Sequence, residues 1–127
     1  MDRLKGRTID CTLFESQSDV GGYWRTADSG KQSPRELYEF PGFPFQLDDK
    51  EENVQNYIQH FATERNIYPS CKLNTRVFSI VPNTKGWYVE YKDQVKDLSH
   101  TEKFDFVILC TGLDSEPQFC QLPNTDN

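Results

Sequence analysis

Apolar and polar residues alternate from Ile9 towards Phe14 (IDCTLF), and the run turns apolar at its end. That is the pattern of a short strand with one covered face. It leads into Glu15, a polar stretch from Ser16 to Asp19, and the pair Gly21–Gly22. Between Thr26 and Phe45 the chain carries Gly30, Pro34, Pro41, Gly42 and Pro44, which predicts a long aromatic loop. From Lys50 to Asn66 the period changes. Val54, Tyr57, Ile58, Phe61 and Ala62 fall at i, i+3, i+4, i+7 and i+8, one stripe of a helix. Asp49 is placed to cap it, with Glu52 three residues on in the register of a capping box. Leu73–Ile80 and Trp87–Tyr91 read as strands, with Trp87, Val89 and Tyr91 on one face and Asn83–Thr84–Lys85–Gly86 as the turn between them. Gln94–Lys103 is polar and predicts a surface turn with room for one more short strand. Phe104–Cys110 (FDFVILC) is almost all apolar after Asp105, which predicts a strand covered on both faces, as in parallel sheets. It stops at Thr111–Gly112. The order predicts a mixed α/β fold.

Composition narrows the function classes. The 127 residues suffice for one modest domain. Net charge is −6 and no Lys/Arg cluster is present, so binding to nucleic-acid phosphates is not expected. The four cysteines, Cys11, Cys71, Cys110 and Cys120, form no C-x-x-C pair, and the histidines are two, so no metal site is expected. Cys11 and Cys110 lie in apolar runs, where a thiol acts as a small hydrophobe. Cys120 has no companion that would make it a redox centre. Reduced cysteines suit a cytoplasmic chain. No apolar h-region opens the sequence and no apolar run approaches ~18 residues, so neither a signal peptide nor a membrane span is expected. His60 sits beside the helical stripe and reads as a helix-surface residue. The acidic run Asp48, Asp49, Glu51 and Glu52 suits the positive end of a helix dipole.

Three groups carry candidate chemistry. An acid at a strand end, such as Glu15, can accept hydrogen bonds from a ribose hydroxyl pair. It can equally be a solvated strand-end carboxylate. Gly21–Gly22 can bring the backbone close to a ligand or form an ordinary turn. Thr111–Gly112 closes the apolar run, and in open α/β sheets ligands bind beyond the carboxyl ends of strands. A plain strand-to-loop turn reads the same way.

Their combination is more specific than any part. F-E-x5-G-G-Y-W, then S-P-R-E-L-Y-E-F-P-G-F-P-F, then N-T-R-V, then F-D-F-V-I-L-C-T-G resembles the flavin-containing monooxygenases in order and spacing, from about Cys11 to Pro123. The resemblance implies a partial FAD/NAD(P)-binding Rossmann-like domain over residues 1–127, with parallel strands, an antiparallel meander and a helix. It implies FAD and NADPH as cofactors, and oxygenation of a small molecule at nitrogen or sulfur through a flavin C4a-hydroperoxide. By the same resemblance Glu15 holds the adenosine ribose. Gly21, Gly22, Tyr23 and Trp24 wrap the flavin side, and the backbone of Val77 faces the adenine. Thr111 and Gly112 lie beside the cofactor, and Gln32 and Ser33 lie near the reactive flavin face.

Two departures stand out. Gln32 occupies the family's Asn position, and its extra methylene moves the amide's hydrogen bonds. No three of the seven glycines make G-x-G-x-x-G. The expectation is a chain holding a piece of the domain, without the first βα unit or the NADPH motif. Two functional readings follow: a flavin monooxygenase portion, or a non-catalytic remnant or interaction domain without flavin. An open sheet edge would favour self-association.

Overall fold

The computed structural model describes residues 9–25, 35–45 and 53–112. Strand β1, Leu13–Phe14, pairs in parallel with β2, Cys71–Lys72, in the register Leu13↔Cys71. Between them in sequence lies helix α1, Val54–Glu64. Strands β3 (Thr75–Asn83), β4 (Gly86–Asp93) and β5 (Leu98–Phe104) form an antiparallel sheet with β4 in the middle. The mixed α/β arrangement is the predicted one.

Helix α1 begins later than its periodicity predicts. Asn53 has extended backbone angles, and its side chain accepts from Asn56 N at 2.8 Å, so the cap is Asn53. Asp49 and Glu52 lie outside the described residues. At the far end Asn66 takes the left-handed conformation (φ 51°). Its N–H donates to Thr63 O at 3.0 Å, and Ile67 N donates to Ala62 O at 2.8 Å, the paired closure of a Schellman motif.

The buried stripe of α1 explains the aromatic loop. Tyr57 is fully buried, stacked on Phe45 with ring centroids 3.9 Å apart and on Phe40 at 5.5 Å. Its hydroxyl accepts from Phe40 N at 2.7 Å and donates to Phe43 O at 2.6 Å. The segment between is a turn with Pro41 and Gly42 at its centre. Phe43 N donates to Phe40 O at 3.0 Å, and Gly42 has the φ of +73° that a type II turn needs at that position. A hydroxyl on a core aromatic thus fixes main chain 14 to 17 residues away.

The strand predicted over Leu73–Ile80 is divided. Asn74 turns with φ 51°, and β2 and β3 flank it. The main chain after β1 enters this break: Thr75 N donates to Glu15 O and Asn74 N to Gln17 O, each at 2.8 Å. The polar stretch after Gln94 supplies β5, and Asp93 Oδ1 closes the turn before it by accepting from Val95 N and Lys96 N. Phe14 joins the two sheets. Its ring lies 4.7 Å from that of Tyr91 and edge-on to Phe104 at 5.8 Å. Beside them Lys72 Nζ donates to Tyr91 Oη and to Glu102 Oε1, each at 2.7 Å, and Tyr91 Oη donates to Glu102.

The covered strand predicted over Phe104–Cys110 is corrected. Only Phe104 belongs to β5, and residues 106–112 have no ladder partner among the described residues. Phe106 and Ile108 are 87% and 86% exposed, and Leu109 and Cys110 are also exposed. The reason is register. β4 starts at Gly86, its pairing with β5 ends at Trp87↔Phe104, and the apolar run overshoots the meander. Cys11 and Cys110 are exposed free thiols rather than buried hydrophobes.

Candidate functional site

Glu15 directly follows β1 and is held from both sides. Its N–H donates to Lys72 O at 3.1 Å, and its carbonyl accepts from Thr75 N. Carboxylate oxygen Oε1 accepts from Gln17 N at 2.8 Å, which curls the chain away from the strand. Oε2 carries no hydrogen bond among the described residues and remains an acceptor. The predicted strand-end acid is therefore fixed in main-chain position.

The chain then loops to Gly21 (φ 122°) and Gly22 (φ 51°), and residues 22–25 form a turn of 3-10 helix closed by Trp24 N on Gly21 O at 3.1 Å. The two glycines have different reasons. A Cβ at Gly21 would lie 1.8 Å from Gln55 Oε1, whereas one at Gly22 would meet nothing within 4 Å. Gly21 is packed against α1 and Gly22 faces open space. Arg25 ties the turn back to its start, donating to Gln17 Oε1 and Ser18 Oγ at 3.0 Å. Trp24 stands edge-on between the rings of Tyr23 and Tyr38 at 5.3 and 5.4 Å. Tyr23 is exposed.

Two residues that sequence reasoning passed over organise this loop. Asp19 Oδ1 accepts from Val20 N and Tyr68 Oη, each at 2.8 Å, and Oδ2 accepts from Gln59 Nε2 at 2.6 Å. Burial pushes the Asp19 carboxyl up, but the hydrogen bonds from Tyr68, Val20 and Gln59 and the charge of Arg25 outweigh it and hold it below the usual range. Tyr68 is pushed up to about 12 by burial and by its bond to Asp19. Gln55 Nε2 donates to Val20 O at 2.8 Å. These partners lie 35 to 49 residues apart in sequence, so no local signal could have found them.

The structure brings Glu15, Gly21, Gly22, Tyr23 and Trp24 into one loop. Val77 follows on β3, two residues beyond the Thr75 that binds Glu15. A bulge after Val77 displaces Phe78, which is exposed. Thr111 and Gly112 are exposed and beyond the last strand, with Gly112 at φ 83°, and no strand pairing joins them to the loop among the described residues. Gln32 and Ser33 lie outside the described residues. No group of three or more metal-ligating side chains occurs among the described residues.

The arrangement sets an acid just beyond a parallel strand and, after it, a glycine turn docked on a helix. The crystal structure of Tmm from Pelagibacter sp. strain HTCC7211 matches 92% of this chain and 33% of its own, with a TM-score of 0.75 and 25% identity. Flavin-containing monooxygenase 3 of Oryctolagus cuniculus is 30% identical over 82% of this chain, and the flavin-containing monooxygenase FMO GS-OX-like 6 of Arabidopsis thaliana is 29% identical over 98%. The chain is a relative of the flavin-containing monooxygenases. Its parallel pair, meander and helix are a partial Rossmann-like arrangement of that family's kind. It spans 34% of the length of the Arabidopsis protein and 23% of the rabbit one. No family model matches the chain. Among the described residues no helix is long and apolar enough to cross a membrane.

Proposed function

We propose that this chain is a cofactor-holding portion of an FAD- and NADPH-dependent monooxygenase that oxygenates nucleophilic nitrogen or sulfur centres of small molecules. The observation that carries the reading is the clamped Glu15, whose Oε2 makes no hydrogen bond among the described residues, followed seven residues on by Gly22, where a Cβ would meet nothing within 4 Å. Glu15 would take the hydroxyls of the adenosine ribose, as acids at this position do. Gly21 to Trp24 would line the flavin side, Val77 would offer main chain to the adenine, and Thr111 and Gly112 would approach the cofactor from the strand end. Gln32 would stand at the reactive face with Ser33 beside it. FAD, when bound, supplies the redox chemistry; the chain's own groups bind and orient it. No described residue is assigned to NADPH.

The 127 residues hold no G-x-G-x-x-G and carry a net charge of −6, so a pyrophosphate has few donors here. Each charge-assisted hydrogen bond forgone costs roughly 1.5–3 kcal/mol, and two or three weaken binding by roughly a thousandfold or more. The test is an NMR titration of the chain with FAD to ~1 mM, a range that detects affinities of about −4 kcal/mol. Shifts centred on residues 15–24, weakened by Glu15→Ala, support the reading. Their absence there refutes it. Submicromolar binding would show that the region between Glu15 and Gly112 suffices without the phosphate loop.

The second reading, an interaction domain without flavin, is favoured by the exposed Phe106, Ile108 and Leu109. An unpaired apolar run pairs readily with other chains. Sedimentation of the wild type and Ile108→Glu tests it: self-association that the charge abolishes supports this reading, and a monomer at every concentration removes it.

A further inference from the structure

The residue before the glycine pair is held at both ends of its peptide units. Val20 N–H donates to Asp19 Oδ1 and Val20 C=O accepts from Gln55 Nε2, each at 2.8 Å, and Val20 itself is buried. Glycines left without anchors sample positive and negative φ almost equally, so a Gly–Gly turn gains a defined shape only from what fixes its flanks. On one flank that task falls to Asp19. Its carboxylate joins three parts of the chain: its own loop through Val20 N, helix α1 through Gln59, and the turn of residues 68–70 through Tyr68. Its carbonyl lies 3.4 Å from Arg25 Nη1, at the other end of the turn. The carboxylate points into the protein, so it does not offer itself as a ligand group.

We propose that Asp19 is a positioning residue for flavin binding: by clamping Val20 N–H, Gln59 and Tyr68 together it presets the main chain of Gly21 and Gly22 against the cofactor. This rests on the proposed flavin site, but the clamp is measurable without flavin. Loss of the clamp frees two glycines whose ordering must then accompany binding, which lowers affinity without removing any contact to the ligand. Asp19→Asn keeps the shape. Its Oδ1 can still accept from Val20 and Tyr68, and its Nδ2 can donate to Gln59 once that amide is flipped.

The experiment compares the wild-type chain with Asp19→Ala and Asp19→Asn by amide hydrogen exchange and by NMR titration with FAD. For Asp19→Ala, exchange at Val20 and Trp24 is expected to rise ~10-fold or more, with amides of β3 and β4 unchanged. The FAD dissociation constant is expected to rise ~10-fold, and Asp19→Asn to recover both within ~3-fold. Unchanged exchange at Val20 overturns the proposal, as does faster exchange with unchanged FAD affinity. A uniform rise across β3 and β4 also overturns it, because Asp19 would then serve global stability alone. If Asp19→Ala does not fold, Tyr68→Phe and Gln59→Leu each remove one donor, and the same local pattern at reduced size is required. Wild-type chain without any FAD response refutes the functional reading itself; wild-type binding that Asp19→Ala leaves intact refutes only this proposal.

Discussion

Gly21→Ala is expected to break the dock between the glycine turn and helix α1. A Cβ there would lie 1.8 Å from Gln55 Oε1, 2.7 Å from its Cδ and 2.8 Å from its Nε2. The Gln55 side chain is flexible and can swing away, but only by giving up its bond to the buried Val20 carbonyl. A lost hydrogen bond costs about 0.5–1.5 kcal/mol, more where an acceptor stays buried and unpaired. The φ of +122° is a second penalty that no side-chain movement relieves, about 1–2 kcal/mol for a residue with a Cβ. Together these give about 2–4 kcal/mol. At this chain length about 4 °C of melting temperature corresponds to 1 kcal/mol, so Tm should fall by roughly 8–16 °C. Thermal melts measure it, with exchange of the Val20 amide in parallel, since a loop that undocks locally raises exchange without moving Tm. In a Gln55→Ala background the collision and the bond are already gone, and Gly21→Ala should cost only the φ penalty of about 1–2 kcal/mol. Equal costs in both backgrounds would falsify the collision argument, and unchanged Tm and exchange in Gly21→Ala would refute the whole account.

Gly86→Ala should be worse than Gly21→Ala, because its Cβ would lie 2.3 Å from Phe104 O, main chain that cannot swing aside; urea unfolding should show a loss of more than about 3 kcal/mol or no folded protein. Tyr57→Phe leaves Phe40 N and Phe43 O without their partner and should cost about 1–2 kcal/mol by the same measurement. Acid should destabilise the fold through Asp19 and Glu102. Lys72 and Tyr91 hold the Glu102 carboxyl below its ordinary 4.5, and Asp19 sits below 3.8. A carboxyl depressed in the folded state binds fewer protons there than in the unfolded chain, so its contribution is complete above the ordinary range and disappears as pH falls through the depressed values. Urea midpoints followed downwards from pH 6 should decline across that window, and Asp19→Asn and Glu102→Gln should each flatten the decline.

Sequence periodicity was sufficient wherever a residue's role depends on near neighbours. Of the predicted helical stripe, Val54, Tyr57 and Ala62 are buried and Ile58 and Phe61 half-buried, and the Asn83–Gly86 turn joins β3 to β4. The strand-end Glu15 and the glycine pair after it were legible for the same reason, since both are local punctuation of the chain. Periodicity failed at Phe104–Cys110, where an apolar run states only that cover is wanted. Whether a neighbouring strand reaches it depends on register, and β4 begins at Gly86, too late to pair with it.

The sequence by itself determined the element types, their order, and the family that the motif set resembles, because each of these is written in spacings of a few residues. Only the tertiary structure decided which groups hold the candidate site in shape. Asp19, Gln55, Gln59 and Tyr68 carry no motif and sit at unremarkable positions in the pattern. They meet because α1 and the turn after it fold back on the loop that follows β1, and hydrogen bonds spanning 35 to 49 residues have no periodicity to reveal them. The same holds for Gly21. Its pairing with Gly22 marks a turn, but what makes replacing that one glycine costly is its φ of +122° together with the side chain of Gln55 in the space a Cβ would fill.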